Sequence, residues 1–192
     1  MKNTEIKKIK VSNNEVYGVE TDKEFIEGNI IVNNSDVSNL NEFTNKKNEE
    51  NIDDYSLSGL IMLLGIKKKL NSEHHNILFS NNYNNEFNDL FDRKIFPDDP
   101  TIYLCNPTVT DNEVAPQGCS SLFIMANTPA TLGSWTNKDI DKAKKKIFKK
   151  LSYFGFQIDI KDIEIEEVQT PNYFMGQHNS FGGSLYGKSS HG

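Results

Sequence analysis

The chain is nearly without arginine. One Arg stands beside 20 Lys, so the planar, bidentate donor that favours phosphate and nucleic-acid recognition is almost missing. Acidic residues exceed basic ones, 27 against 21, for a formal charge of −6, which argues against nucleic-acid binding by the chain as a whole. Cysteine is scarce: Cys105 and Cys119 make neither a disulfide framework nor a four-ligand zinc site. Both read as small core residues. No apolar run approaches the roughly 18 residues of a membrane-spanning helix; the best, residues 57–66, contains Ser58 and Gly59. The opening MKNTEIKKIK has no apolar signal-peptide centre. Together these absences point to the cytoplasm. Trp135, the single Trp, reads as a packing anchor.

Asparagine and isoleucine are abundant, with 24 and 18 copies. Twelve Phe and 7 Tyr argue against disorder, since a disordered chain is poor in aromatics. The 192 residues allow one domain, or one and a fraction.

Periodicity predicts an α+β fold. Residues 4–32 read as short strands, with a turn at Asn13-Asn14 and a further apolar run, Ile30-Ile31-Val32, suited to a strand buried on both faces. The polar elbow at residues 33–36 can cap a short helix. Residues 41–54 are nearly all polar and read as a solvated helix or loop. Core strands are expected at residues 56–66, 75–80, 101–105 and 122–126. Residues 84–91 look helical, with Phe87, Leu90 and Phe91 on one stripe. The clearest helix is 137–154, where Ile140, Ala143, Ile147, Phe148 and Leu151 line one face and a lysine run at 142–150 reads as solvated. Residues 158–168 alternate and suit strand or turn; Thr170-Pro171 opens a short helix.

Few residues carry recognisable chemistry. Gly182, Gly187, Lys188 and Ser189 satisfy G-x-x-x-x-G-K-[ST], the phosphate-binding pattern. A phosphate loop follows a buried strand and opens a helix, whose N-terminus supplies much of the anion site. Here no hydrophobic strand precedes the string and only Ser190, His191 and Gly192 follow. A stand-alone NTP-binding module is therefore a remote alternative. His74-His75 read as the turn before a strand or as packed histidines, with no Cys, Asp or Glu at ligand spacing, so no metal site is expected. Asp98-Asp99-Pro100 reads as a turn. No catalytic constellation emerges.

Several strings, in order, resemble one family. Residues 5–36 close on Ile31-Val32-Asn33-Asn34-Ser35-Asp36; His75-Asn76-Ile77-Leu78-Phe79-Ser80 is followed by Tyr83, Glu86-Phe87 and Phe91. Asp99-Pro100-Thr101-Ile102-Tyr103, Ala115-Pro116-Gln117-Gly118-Cys119, then Gly133 and Trp135, and finally Gly183-Ser184-Leu185-Tyr186-Gly187 with Ser189-Ser190 complete the set. The ordered set resembles the FAD-dependent carotenoid desaturases (phytoene desaturase and relatives) of the flavin amine-oxidase-like superfamily. Val114, Ser120-Ser121 and His191 depart from the family pattern. The resemblance also accounts for the apparent phosphate loop, because Lys188 stands at a variable family position.

The resemblance implies an internal or C-terminal piece of a longer flavoprotein, lacking the G-x-G-x-x-G turn that cradles the FAD pyrophosphate. Residues 1–38 would be later strands of the FAD-binding domain, 39–180 a substrate-binding domain, and 181–192 the start of a return into the FAD domain. The implied activity is the introduction of double bonds into a carotenoid precursor. A related flavoprotein acting on another lipid or an amine is the alternative. Ile6, Ser35, Asp36, Tyr186, Ser189 and Ser190 match positions near the cofactor; Ala115, Pro116 and Gly118 match a loop facing flavin and substrate. The resemblance assigns no catalytic residue. A lipophilic polyene substrate implies peripheral membrane contact.

Overall fold

A computed structural model describes residues 2–44 and 50–189. Mixed helices and antiparallel sheets make an α+β fold, as the periodicity predicts. β1 (Ile6–Ser12), β2 (Glu15–Thr21) and β3 (Phe25–Glu27) form a meander in that order. Its first turn uses Asn13 and Asn14, both left-handed at φ 52° and 64°, the two-residue turn whose twist suits a hairpin and whose backbone Asn tolerates. The elbow then caps α1 (Val37–Phe43): the Asp36 carboxylate accepts from the Ser38 N–H at 3.0 Å.

The expected strand at Ile30-Ile31-Val32 does not form. Ile30 and Val32 are 81% and 88% exposed, and no neighbouring strand among the described residues takes their backbone hydrogen bonds. An apolar run becomes a buried strand only where a sheet receives it. Of residues 41–54, 41–43 end α1 and 52–54 form one tight turn; 45–49 lie outside the described residues.

The larger sheet contains β4 (Ser58–Ile66), β5 (His75–Leu78), β6 (Ile102–Cys105), β7 (Ser120–Thr128) and β8 (Ile163–Gln169). Its order is β5-β6-β7-β4-β8, with every pairing antiparallel. Residues 158–168 thus divide, a single turn at Ile160–Asp162 preceding the edge strand β8. Between β5 and β6, α2 (Tyr83–Phe87) runs on into a wide π turn, Asn88–Asp92. Its expected apolar stripe is only partly buried. Leu90 is inside, but Phe87 and Phe91 stay exposed while Glu86, 2% exposed, and Asp89 are buried. The reason is hydrogen bonding: Glu86 accepts from the Thr101 N–H at 2.7 Å and its hydroxyl at 2.6 Å, and Asp89 accepts from Arg93 at 2.8 Å. A buried carboxylate so partnered is tolerated where an isolated one is not.

α3 (Asn137–Tyr153) covers one face of this sheet. It starts in a capping box, Thr136 and Asp139 each accepting from the other's backbone N–H. Ala143, Ile147 and Leu151 meet Leu60, Met62, Leu104, Leu122 and Ile124 in one core, each large side chain contributing roughly 1.5–3 kcal/mol on burial. The lysines are less solvated than expected. Lys150 is 6% exposed and bonds Asp99 at 2.6 Å; Lys146 reaches Asp98 at 2.7 Å and Lys144 reaches Glu166 at 2.6 Å. Trp135 packs edge-on to Phe96 at 6.0 Å and against this core, an anchor as read. Cys105 and Cys119 are half-buried rather than core residues, because Cys105 falls on the sheet face away from α3 and Cys119 on a loop.

α4 (Pro171–His178) ends at left-handed Asn179. The chain then turns through Gly182 and Gly183, both at positive φ. A Cβ at Gly183 would lie 2.3 Å from the Pro171 carbonyl oxygen, so only glycine fits. Residues 184–188 bend along the approach to β4: Leu185 N–H donates to the Leu57 carbonyl and Ser56 N–H to the Gly187 carbonyl.

Candidate functional site

The sheet face turned away from α3 is largely apolar and only partly covered. Side chains directly opposite in an antiparallel ladder share a face. One cross-strand row is Ile77, Tyr103, Met125, Ile61 and Gln169; the next is His75, Cys105, Phe123, Leu63 and Glu167. Most members are half-buried, and Ile77 is 57% exposed. An antiparallel sheet with one free side normally presents polar residues there. Here the middle of both rows is apolar, so this face is built to meet something apolar.

Two structures bound the face. At the Gly59 end, Leu185 of the returning segment sits where a Gly59 Cβ would be only 3.2 Å from it. At the other end, the His75 ring bonds the Tyr103 hydroxyl at 2.8 Å, and His74 bonds Thr110 at 2.7 Å. Burial, with a hydrogen bond to Cys105, pushes the Tyr103 hydroxyl above its ordinary pKa.

Ser35, Asp36 and Tyr186 come together, separated in sequence but lining one cleft of about 560 Å³ with Ser180, Ser184 and Lys188. The Ser180 and Ser184 hydroxyls in this cleft are buried and have no hydrogen-bond partner. Buried hydroxyls are normally satisfied, so these two are unmet polar groups beside the cleft, and a polar ligand there would supply what they lack. Ile6 lines a neighbouring cleft of about 590 Å³ that shares Ser180 with the first. Ser189 donates its N–H to the Asp54 carbonyl at 2.7 Å and lines neither; Ser190 lies outside the described residues. Ala115, Pro116 and Gly118 line a third cleft of about 510 Å³ with Leu70, Asn106 and Val109. None of the cofactor-matched residues lines that cleft.

The phosphate-loop string has no such geometry. Gly182 and Gly183 are buried in a tight turn, residues 185–187 bend, and no helix follows within the described residues. Lys188 pairs with Glu50 at 2.8 Å and lies over the Tyr55 ring at 5.7 Å. The Glu50 bond raises the lysine's pKa, so its charge is already engaged.

Sequence reasoning missed the His74, His75 and Cys105 cluster, whose donor atoms all lie within 4.8 Å of one another. Cys105 is far along the chain and arrives through the pairing of β5 with β6. A scan for local ligand spacing has no access to that register.

Comparison with known proteins agrees with this architecture. No protein-family model matches the chain. It is 38% identical over 192 residues to a 1-hydroxycarotenoid 3,4-desaturase of a Flavobacterium species, covering 96% of this chain and 39% of that protein. It is 32% identical to a 4,4'-diaponeurosporene oxygenase of Staphylococcus aureus, with the same shares covered. A zeta-carotene-forming phytoene desaturase of Myxococcus xanthus is 32% identical over 143 residues, 70% of this chain and 26% of that protein. The crystal structure of an oxidoreductase from Methanosarcina mazei has a similar fold, with a TM-score of 0.51 over 87% of this chain and 37% of that one, at 12% identity. Over nearly all of its length the chain is homologous to carotenoid desaturases and oxygenases. It spans 39% of the length of the first two of these relatives.

Proposed function

We propose that this chain is the substrate-facing portion of an FAD-dependent oxidoreductase that introduces double bonds into a carotenoid precursor. The observation that carries the reading is the apolar sheet face lined by Leu63, Tyr103, Phe123 and Met125, left open by a fold whose other face is fully packed. A polyene has no group to hydrogen-bond; it is held by a long apolar wall that positions one bond and excludes water. When bound, FAD would accept the hydride taken from a polyene C–H bond, a proton leaving the adjacent carbon. Residues 1–38 would belong to the FAD-binding part, 39–180 to the substrate part and 181–192 to the return between them. Ser35, Asp36 and Tyr186 would flank the dinucleotide, with Ser180 and Ser184 offering hydroxyls to it; Ile6, Ser189 and Ser190 would support that side. Ala115, Pro116 and Gly118 would close the far end of the face. No helix among the described residues is long and apolar enough to cross a membrane, and substrate drawn from a bilayer would require contact at its surface from the cytoplasmic side.

The test is a chimera in which this chain replaces the matching segment of the Flavobacterium desaturase. Product is read as the red shift of the carotenoid spectrum and flavin as bound absorbance per protein. The chimera is expected to lengthen the conjugated system; Phe123→Lys is expected to abolish turnover with flavin retained, and Ser184→Ala to lower flavin content. Full turnover in both Phe123→Lys and Met125→Lys overturns the assignment of the face. A chimera that holds flavin yet leaves carotenoids unchanged favours the alternative of another lipid or an amine.

A further inference from the structure

Where β5 begins beside the end of β6, two imidazoles and a thiol converge, and from their geometry we infer that His74, His75 and Cys105 form a binding site for a borderline-soft divalent cation such as Zn²⁺. The three donor atoms all lie within 4.8 Å of one another. A tetrahedral zinc with its ordinary bond lengths needs them at about 3.3–3.6 Å, so the cluster must close by about 1 Å. His75 is exposed at a strand terminus and His74 lies in the bend before it, so the closure would fall on the two imidazoles, with small adjustments about their hydrogen bonds, and not on the sheet.

The surroundings match what metal-binding histidines require. A ligating imidazole holds the metal through one nitrogen while the other is fixed by a hydrogen bond, which sets the tautomer and orients the ring. Both histidines are already held in this way. The Nδ1 of His74 bonds the Thr110 hydroxyl at 2.7 Å, and the Nδ1 of His75 bonds the Tyr103 hydroxyl at 2.8 Å. Coordination through the two Nε2 atoms would keep both of these bonds. The rings lie 4.2 Å apart, side by side rather than pointing away. Cys105 stands directly across the ladder from His75, and Phe123 is the next residue in that row, an apolar floor under the thiol. Two imidazoles and one thiolate select zinc, cobalt or copper over magnesium and calcium, which take oxygen donors. Three protein donors leave a fourth position for water. On binding, the Cys105 thiol loses its proton to solvent and its lone pair bonds the metal; no electron is transferred.

The consequence is a clamp. The metal would tie the start of β5 to the end of β6 and, through Thr110 on His74, to the loop between β6 and β7 that contains Ala115, Pro116 and Gly118.

The test uses the 192-residue chain, with Cys119 as an internal control. Titration with Co²⁺ is expected to give one equivalent of a tetrahedral spectrum with a thiolate charge-transfer band, displaced by Zn²⁺. Saturating Zn²⁺ is expected to slow alkylation of Cys105 by at least about tenfold, followed by peptide mass, while Cys119 reacts unchanged. Cys105→Ser should remove the charge-transfer band, and His75→Gln the tight binding. Thr110→Val, which touches no ligand atom, should weaken binding about tenfold, the usual cost of losing such a support. Circular dichroism of each metal-free variant shows that its fold is kept. The inference is overturned by a wild-type chain that gives neither band nor protection, by a band that survives Cys105→Ser, or by equal protection of both cysteines.

Discussion

The two faces of the five-stranded sheet are made by the same strands yet differ in what they require. Along β7 the residues alternate, Leu122, Ile124 and Ala126 facing α3 and Phe123 and Met125 facing away. The α3 face is a closed core in which every side chain has neighbours on all sides. The other is apolar but open, and its side chains have partners on one side only. Stability is therefore concentrated on one face, and the proposed function assigns recognition to the other. Adjacent residues on one strand should respond oppositely to mutation.

The largest expected effect tests that contrast. Ile124→Ala should cost about 3 kcal/mol, the transfer loss plus an unfilled cavity, whereas Met125→Ala, one residue on, should cost less than about 1 kcal/mol. Urea denaturation of both variants measures the difference, and equal losses would erase the distinction between the faces. Next comes Glu86→Ala. It leaves the Thr101 N–H and hydroxyl without their acceptor and should cost about 2 kcal/mol, since buried donors left unpaired lose their full desolvation free energy. Glu86→Gln, which keeps an acceptor, should recover part of the loss.

A smaller effect concerns acid. Burial pushes the Asp99 carboxyl up, but Lys150 and the Asn81 N–H and amide outweigh this and hold it below its ordinary value. A lowered folded pKa contributes stability that is present above the unfolded pKa of about 3.9 and is lost as pH falls through the folded value. The α3 face should accordingly loosen below about pH 4, and Lys150→Met should flatten that acid limb of the melting temperature against pH. Least of all, Lys188→Ala removes an exposed ion pair with Glu50 and should change stability by less than about 1 kcal/mol. A large loss there would mean that the returning segment is held chiefly by charge.

Much of the closed face was legible because periodicity records it. The Ile140, Ala143, Ile147 and Leu151 stripe placed α3, and the runs at β4, β6 and β7 marked strands. Asp36 and the two asparagines at 13 and 14 announced a cap and a turn through their own chemistry. What stayed hidden depended on partners far along the chain. Lys144 and Lys150 find Glu166 and Asp99 only after the sheet forms. Glu86 is inside because Thr101 receives it, and Cys105 meets His75 through register alone. Ile30 and Val32 failed in the opposite sense: their pattern suits a buried strand, and the described residues offer no sheet to join. Of the candidate site, the resemblance named Ser35, Asp36 and Tyr186 separately; that they line one cleft, with the orphaned hydroxyls of Ser180 and Ser184 beside them, had no sequence signal.

The interior position of β4, between β7 and β8, also sets a timetable. Its neighbours β7 and β8 lie far downstream, and β8 is complete only about a hundred residues later, which at about 5–20 residues per second is roughly 5–20 s of synthesis. Pairings between distant segments are slow to form because loop closure precedes their reward. Until β7 is made residues 57–66 have no partner on either edge, and until β8 is made one edge stays open. The β1–β2 hairpin, by contrast, can close within about 1–10 μs of its emergence. The strand that ends between β7 and β8 is the one kept waiting longest, and its open edge needs shielding until β8 arrives.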